Sequence, residues 1–270
     1  MKGTIGVAGC GRMGAPMLRA LRDAGSDARG FDLRPPSDFG DLEPIMFDEP
    51  YSFGRDLDVL FTVVRDAEQT DDVLFGNGNL IGRSFGLDWL VVSSTLSPRY
   101  VTDLRARIPD RIRLIDAPMS GAEVAAIEKR LSFMIGGRHH DIDVLQPLFD
   151  AMGAHFHRMG AFGAGMQTKV LNNLLAASNT AMTRMVLNWA DQADVDPTKL
   201  LQVMHTSSGQ NWFASGFDQI EFSRDGWESD NTIGILTKDV DAALDAAPDG
   251  ADTALPEAVK SMIRSLTPRR

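Results

Sequence analysis

Thr4-Ile5-Gly6-Val7-Ala8-Gly9-Cys10-Gly11-Arg12-Met13-Gly14-Ala15-Pro16-Met17-Leu18-Arg19-Ala20-Leu21 decides the fold. Thr4 to Ala8 is short, β-branched and small, and it stops at glycine, as a buried strand does. Ala15 to Leu21 has a helical pattern. Pro16 suits the first turn of that helix, where a missing N–H costs nothing. Between the two, the glycines follow G-x-G-x-x-G in the strand, turn and helix order that the motif requires. Gly9 permits the tight turn, Gly11 lets the backbone approach a pyrophosphate, and Gly14 lets helix pack closely on strand. The helix N-terminus then faces the phosphates with free N–H groups.

A second strand, Asp27 to Asp32, ends in an acid at the distance expected of a ribose-binding carboxylate. Asp32 can accept both ribose hydroxyls and repels a 2′-phosphate, which points to NAD. Arg34, two residues on, could pair with that phosphate, so NADP is the alternative. Cys10 reads as a small filler, because no base lies near it in sequence.

The same alternation continues outward. Asp58–Val64, Trp89–Ser93 and Arg113–Ala117 read as strands, with helical stretches at Ala67–Leu74 and Pro98–Ile108 between them. Asp58 to Val64 is almost wholly apolar, as a strand buried on both faces should be. Alternating elements predict an α/β domain, a Rossmann-type doubly wound and mostly parallel sheet. Ser93-Ser94-Thr95-Leu96-Ser97-Pro98 and Asp116-Ala117-Pro118-Met119-Ser120-Gly121-Ala122 follow two of the strands. Each serves equally well as a helix cap or a binding loop. Leu131–Gly137 and His155–Met159 are further strands, and Asp141–Ala151 a helix. His139, His140, Asp141 and Asp143 read as a solvated turn and helix start, so no metal site is expected.

Strand signals stop near Gly163. Gly163-Ala164-Gly165-Met166-Gln167-Thr168-Lys169-Val170-Leu171-Asn172-Asn173 opens one long helix, buried on most faces, in which only Lys169 and Arg184 are charged from Gly165 to Ala190. Helices at Pro197–His205, Asn231–Ala247 and Leu255–Leu266 follow, and His205 reads as packed. Residues 1–162 therefore form the dinucleotide-binding domain and 163–270 an all-helical C-terminal domain for substrate and dimerisation. Lys169 and Asn173 are one turn apart on one helical face. Read alone, Lys169 is a lysine snorkelling from a helix start.

The 270 residues carry a net charge of −10, with 43% hydrophobic and 24% charged residues. That balance excludes nucleic acid and anionic membrane surfaces as partners. Cys10 is the single cysteine, and no apolar run has the length of a membrane span. A cytoplasmic location is the default expectation.

Four stretches, spread over most of the chain, resemble the β-hydroxyacid dehydrogenase family, which includes 3-hydroxyisobutyrate dehydrogenase and tartronate semialdehyde reductase. They are Gly9–Gly14, Asp116–Ala122, Gly163–Asn173 and Lys238-Asp239. The resemblance implies an NAD(P)-dependent dehydrogenase of a small 3-hydroxy acid or its semialdehyde. It implies that Gly9, Gly11, Arg12, Met13, Gly14, Asp32, Thr95 and Lys238 hold the cofactor. It makes Lys169 the catalytic acid/base and has Ser120, Gly121, Ala122 and Asn173 hold the substrate. A homodimer or homotetramer is expected. Ala122, Ala125 and Lys129 stand where the family has glycines, Arg65 where it has proline, and Val92 where aspartate is common. The rivals are an imine reductase, which usually lacks the lysine, and a non-catalytic dinucleotide-binding scaffold.

Overall fold

The computed structural model describes residues 3–269. In chain order the elements are β1 (Thr4–Ala8), α1 (Gly14–Asp23), β2 (Asp27–Phe31), a 3-10 segment (Pro36–Ile45), β3 (Met46–Phe47), α2 (Pro50–Gly54), β4 (Val59–Thr62), α3 (Ala67–Leu74), α4 (Leu80–Arg83), β5 (Trp89–Val92), α5 (Pro98–Arg107), β6 (Arg113–Asp116), β7 (Met119–Ser120), α6 (Glu123–Ile127), β8 (Leu131–Gly136), α7 (His139–Met152), β9 (Gly153–Gly160), α8 (Ala164–Gln192), α9 (Pro197–Thr206), α10 (Trp212–Ser215), α11 (Thr232–Asp245) and α12 (Ala254–Arg264). The sheet order is β3-β2-β1-β4-β5-β6-β8-β7, with β9 beside β8. The strands from β3 to β6 pair in parallel, and β8 runs antiparallel to β6. This is the Rossmann-type sheet expected from the alternation of elements.

Side-chain alternation along the central strands explains its two cores. Val59, Phe61 and Val91 face one side, where they meet Met17, Leu18 and Leu21 of α1 and Leu145 and Phe149 of α7. Leu60, Leu90 and Val92 face the other, where they meet Leu74 of α3 and Val101 and Leu104 of α5. A strand covered on both faces needs apolar residues at every position, which is why these runs are continuous. Val92 is one of them and is fully buried. The short elements β3, β7, α2, α4, α6 and α10 carry too few residues to show a period, lack a clear run of strand-forming residues, and escape the sequence reading.

Two expectations need correction. Asp141 is not solvated: it is 1% exposed. Its carboxylate accepts from Arg138 Nε at 2.7 Å and Trp89 Nε1 at 3.4 Å, with Arg113 Nε at 3.6 Å. Buried carboxylates persist when paired and hydrogen-bonded in this way. His139 and His140, beside it, are exposed. His205 is exposed as well, at the end of α9, where its Nδ1 lies 3.0 Å from Ser215 Oγ.

The chain divides into two compact units, one ending at Lys169 and the other beginning at Val170. The first turn of α8 is built onto the sheet unit, with Met166 in its core. The second unit is helical. Ala177 and Ala181 of α8 pack with Ile233 and Val240 of α11 and Ile263 of α12. Leu187 packs with Phe213 and Phe217. One stripe of α8 stays open within the chain: Leu171, Leu175, Met182 and Trp189 are 54%, 63%, 52% and 61% exposed. Among the described residues no helix is long and apolar enough to cross a membrane.

Candidate active site

The glycine loop after β1 has the geometry a dinucleotide needs. Gly9 has φ +93, and a Cβ there would sit 2.5 Å from the Val63 carbonyl oxygen. A Cβ on Gly14 would sit 2.0 Å from the Gly9 carbonyl oxygen. Both glycines are therefore required by the protein's own packing. Gly11 differs, since a Cβ there would meet nothing within 4 Å. Its bareness serves no internal contact and leaves the backbone open to a ligand. No side chain caps the N-terminus of α1 behind Met13. The residues present thus fit a pyrophosphate over Gly11.

Asp32 stands at the end of β2, its side chain 15% exposed. Its Oδ2 accepts the Cys10 N–H at 2.9 Å, so the carboxylate also braces the loop. Arg34 donates Nε to Asp32 Oδ1 at 3.1 Å and Nη2 to the Cys10 carbonyl at 2.9 Å. Its guanidinium also lies 4.5 Å from the centre of the Phe39 ring. Burial pushes the Cys10 thiol up to about 12, with Asp32 adding to the shift. That thiol is 1% exposed and stays protonated, as a filler residue should.

The loop after β5 divides its hydroxyls between two roles. Ser94 Oγ accepts the Val64 N–H at 2.9 Å and is buried. Ser94 is structural, while Thr95 beside it is half-buried. The loop after β6 carries Ser120, half-buried in β7, with Gly121 and Ala122 exposed. Gly121 has φ +124, and a Cβ there would lie 2.7 Å from Ala125 Cβ. Ala125 is 3% exposed and fills the core beneath that turn. Lys129 adopts φ 57, and its ammonium meets Asp23 at 2.8 Å. An ionic tether to α1 thus accompanies a left-handed backbone in which glycine would be unstrained. Arg12 Nε meets Glu123 Oε2 at 2.9 Å, so an ion pair joins the nucleotide loop to this second loop. Both side chains are well exposed, at 66% and 40%, so the pair stabilises the arrangement by about 1 kcal/mol at most.

Lys169, in the second turn of α8, is 7% exposed. In the helical unit, Asn173 donates Nδ2 to Asp239 Oδ2 at 2.7 Å. Asp239 is 5% exposed, whereas its neighbour Lys238 is exposed on α11. Successive helix residues point about 100° apart, so the Lys-Asp pair splits its two charges between surface and interior. The sequence reading assigned a role to Lys238 alone. Asp239 orients the Asn173 amide, a contact between residues far apart in sequence that no local pattern announces.

Asp116 was also missed. It is fully buried at the end of β6. Its Oδ1 accepts the Gly163 N–H at 2.7 Å and its Oδ2 accepts the Met166 N–H at 2.5 Å. Burial raises its pKa above the usual carboxylate value, and the backbone N–H groups of Gly163 and Met166 oppose that rise. The Leu96 N–H points at Met166 Sδ, 3.3 Å away, from the loop after β5.

A cavity of about 540 Å³, lined by Arg105, Arg113, Arg138 and His139 among others, lies at the amino end of β6. Ligands of such sheets bind beyond the carboxyl ends of the strands, where the glycine loop is, so this cavity is not the reaction site.

A doubly wound sheet with this glycine loop and an acid closing its second strand defines a dinucleotide-binding fold. Residues 4–162 match the NAD-binding domain of 6-phosphogluconate dehydrogenase, and residues 163–269 match the NAD-binding domain of NADP-dependent 3-hydroxyisobutyrate dehydrogenase. The L-threonate dehydrogenase of Cupriavidus necator is 30% identical over 92% of this chain and 84% of its own. The mitochondrial 3-hydroxyisobutyrate dehydrogenase of Rattus norvegicus is 26% identical over 91% of this chain and 76% of its own. The solved 3-hydroxyisobutyrate dehydrogenase of Mycobacterium tuberculosis, with L-serine, superposes with a TM-score of 0.83 at 23% identity, over 99% of this chain and 97% of that one. The chain belongs to the β-hydroxyacid dehydrogenase family and is an NAD(P)-dependent oxidoreductase.

Proposed function

We propose that this protein transfers hydride between NAD and the carbinol carbon of a small 3-hydroxy acid or the matching semialdehyde. The 3-hydroxyisobutyrate, L-threonate and tartronate semialdehyde types are the substrate class. The observation that carries this reading is Lys169: a lysine 7% exposed, in the second turn of a helix whose first turn is bonded to Asp116 of the sheet unit. A lysine this far out of water, beside the dinucleotide-binding fold, is a candidate for acid–base chemistry, because perturbed titratable groups gather at reaction sites.

A bound nicotinamide would supply the hydride acceptor for the substrate carbon. Lys169, as the neutral amine, takes the hydroxyl proton as the carbonyl forms. In the reductive direction its ammonium gives that proton to the carbonyl oxygen and stabilises the charge developing there. Ser120, Gly121 and Ala122 offer the turn that receives the substrate carboxylate. Asn173, its amide set by Asp239, binds the substrate hydroxyl region. Gly9, Gly11, Arg12, Met13 and Gly14 would hold the pyrophosphate, Asp32 the adenosine ribose, Thr95 the nicotinamide side, and Lys238 cofactor or substrate charge. Residues 163–169 begin the helical domain in chain order, although they pack with the sheet.

Turnover of 3-hydroxyisobutyrate, L-threonate, tartronate semialdehyde and a set of cyclic imines, each with NAD and NADP in the matching redox state, tests this reading. Turnover confined to the imines, or to none, would sink it. The cofactor choice has its own test. Asp32→Asn removes the charge that repels a 2′-phosphate and leaves Arg34 free to pair with one. NADPH binding should then tighten relative to NADH by about tenfold in a fluorescence titration, the effect of a charge-assisted contact of ~1.4 kcal/mol. An unchanged ratio would remove Asp32 as the selector.

We place the protein in the cytoplasm as a homodimer or homotetramer, without nucleic-acid or membrane partners. The stripe of Leu171, Leu175, Met182 and Trp189 supports the assembly, because its spacing keeps four large apolar residues on one face of α8. Met182→Glu should lower the mass seen by light scattering while leaving helix content intact. A mass unchanged from the parent protein would rule the stripe out as the interface.

A further inference from the structure

We infer that Asp116 is a positioning residue for the reaction: its buried carboxylate sets the start of α8 and thereby the place of Lys169. The inference rests on the catalytic reading of Lys169. Asp116 closes β6, and Gly163 and Met166 lie about fifty residues further along the chain, beyond β7, α6, β8, α7 and β9, so the two hydrogen bonds tie the helix start to the sheet over a long separation in sequence. Each carboxylate oxygen takes one of the N–H groups that a helix start leaves without an intrahelical partner. The negative charge also opposes the positive end of the helix macrodipole.

The surroundings leave no freedom for another arrangement. A Cβ on Gly165 would lie 2.2 Å from the Met134 carbonyl oxygen and 2.9 Å from Asp116 Oδ2. A Cβ on Gly136 would lie 2.2 Å from Asp116 Oδ1 and 2.9 Å from the Gly165 nitrogen. Two glycines on different elements therefore make room for one carboxylate. Gly163 adds a left-handed turn at φ +96 that brings its N–H to Oδ1. Lys169 stands three residues past Met166, so a shift of the capped turn carries its ammonium with it.

Asp116→Asn keeps the volume and turns an NH₂ group toward a backbone N–H, so one cap is lost. In the parent background kcat should fall about 10- to 100-fold, the effect of a displacement near 1 Å. NADH affinity by fluorescence and the KM for 3-hydroxyisobutyrate, or whichever panel substrate is turned over, should stay within about threefold. In a Lys169→Ala background the same change should lower the residual rate by less than about twofold, because a group acting through Lys169 has nothing left to position. An equal fall in both backgrounds would mean a general structural role and overturn the inference, as would parent-like kcat in Asp116→Asn. Full turnover by Lys169→Ala would overturn the catalytic reading itself, which keeps the two failures apart. If Asp116→Asn does not fold, Gly163→Ala takes its place, straining the same cap while leaving the carboxylate. An unchanged kcat in that variant would overturn the inference, and a fall in kcat at constant NADH affinity would support it.

Discussion

On the role proposed for it, Lys169→Ala should lower turnover by about 10³-fold, while NADH affinity in a fluorescence titration should change little, because that role acts on the reacting oxygen rather than on the cofactor. Two effects add to reach that size. The proton must go to or come from water once the amine is gone, which forfeits general acid–base catalysis. The charge building on oxygen also loses the cation that stabilises it. KM should move much less than kcat, the pattern expected when an interaction belongs to the transition state. Lys169→Arg should rescue little, since a guanidinium cannot give up its proton near neutral pH. Parent-like turnover in either variant would remove Lys169 from the chemistry.

Arg184→Leu should destabilise the helical unit by about 2–4 kcal/mol, one of the largest single-residue effects expected in this chain. Arg184 is 1% exposed on α8. Its Nη1 donates to the carbonyls of Ser223 and Asp225, each at 2.8 Å, and its Nη2 to the carbonyl of Thr267 at 2.6 Å. Burial pulls its pKa below the usual arginine value. One guanidinium thus gathers the turn before α11 and the segment after α12. Leucine fills much of the volume but takes the donor from three carbonyl oxygens, that of Ser223 in a buried contact and those of Asp225 and Thr267 in partly buried ones, and the lost bonds carry most of the penalty. In a chain of this size the melting midpoint should drop by roughly 10 °C in a circular-dichroism melt. Arg184→Lys should recover only part of it, because an ammonium cannot span the fork of three acceptors. A midpoint within about 2 °C of the parent for Arg184→Leu would show that these carbonyls find other donors.

Lys169 and Arg184 carry the same signal in sequence. They are the only charges in a stretch that is otherwise neutral from Gly165 to Ala190. That isolation marks a charge needing a reason, and it does not say which reason. Lys169 resembles a family motif and so receives a chemical role. Arg184 is found by structure alone, because its partners are backbone carbonyls, which no residue type announces.

The glycine loop, the acid at Asp32 and the parallel alternation of elements were legible because their causes are local. A strand, a tight turn and a helix start each follow from a few neighbouring residues. The long helix was legible for the same reason, through a composition that persists over many turns. The capping of α8 by Asp116 was not, since donor and acceptor lie about fifty residues apart. Nor were the burial of Asp141 under Arg138 and Trp89, or the hold of Asp239 on Asn173.

By itself, then, the sequence determined the class of fold, the glycine turn after the first strand and the long helix that bears the lysine. Those depend on backbone conformation and periodicity, which short stretches of chain dictate. Only the tertiary structure decided which carboxylates are buried, which helix start they hold, and that the first turn of α8 packs with the sheet. Those depend on which groups are removed from water together, and desolvation is a property of the packed chain rather than of any stretch within it.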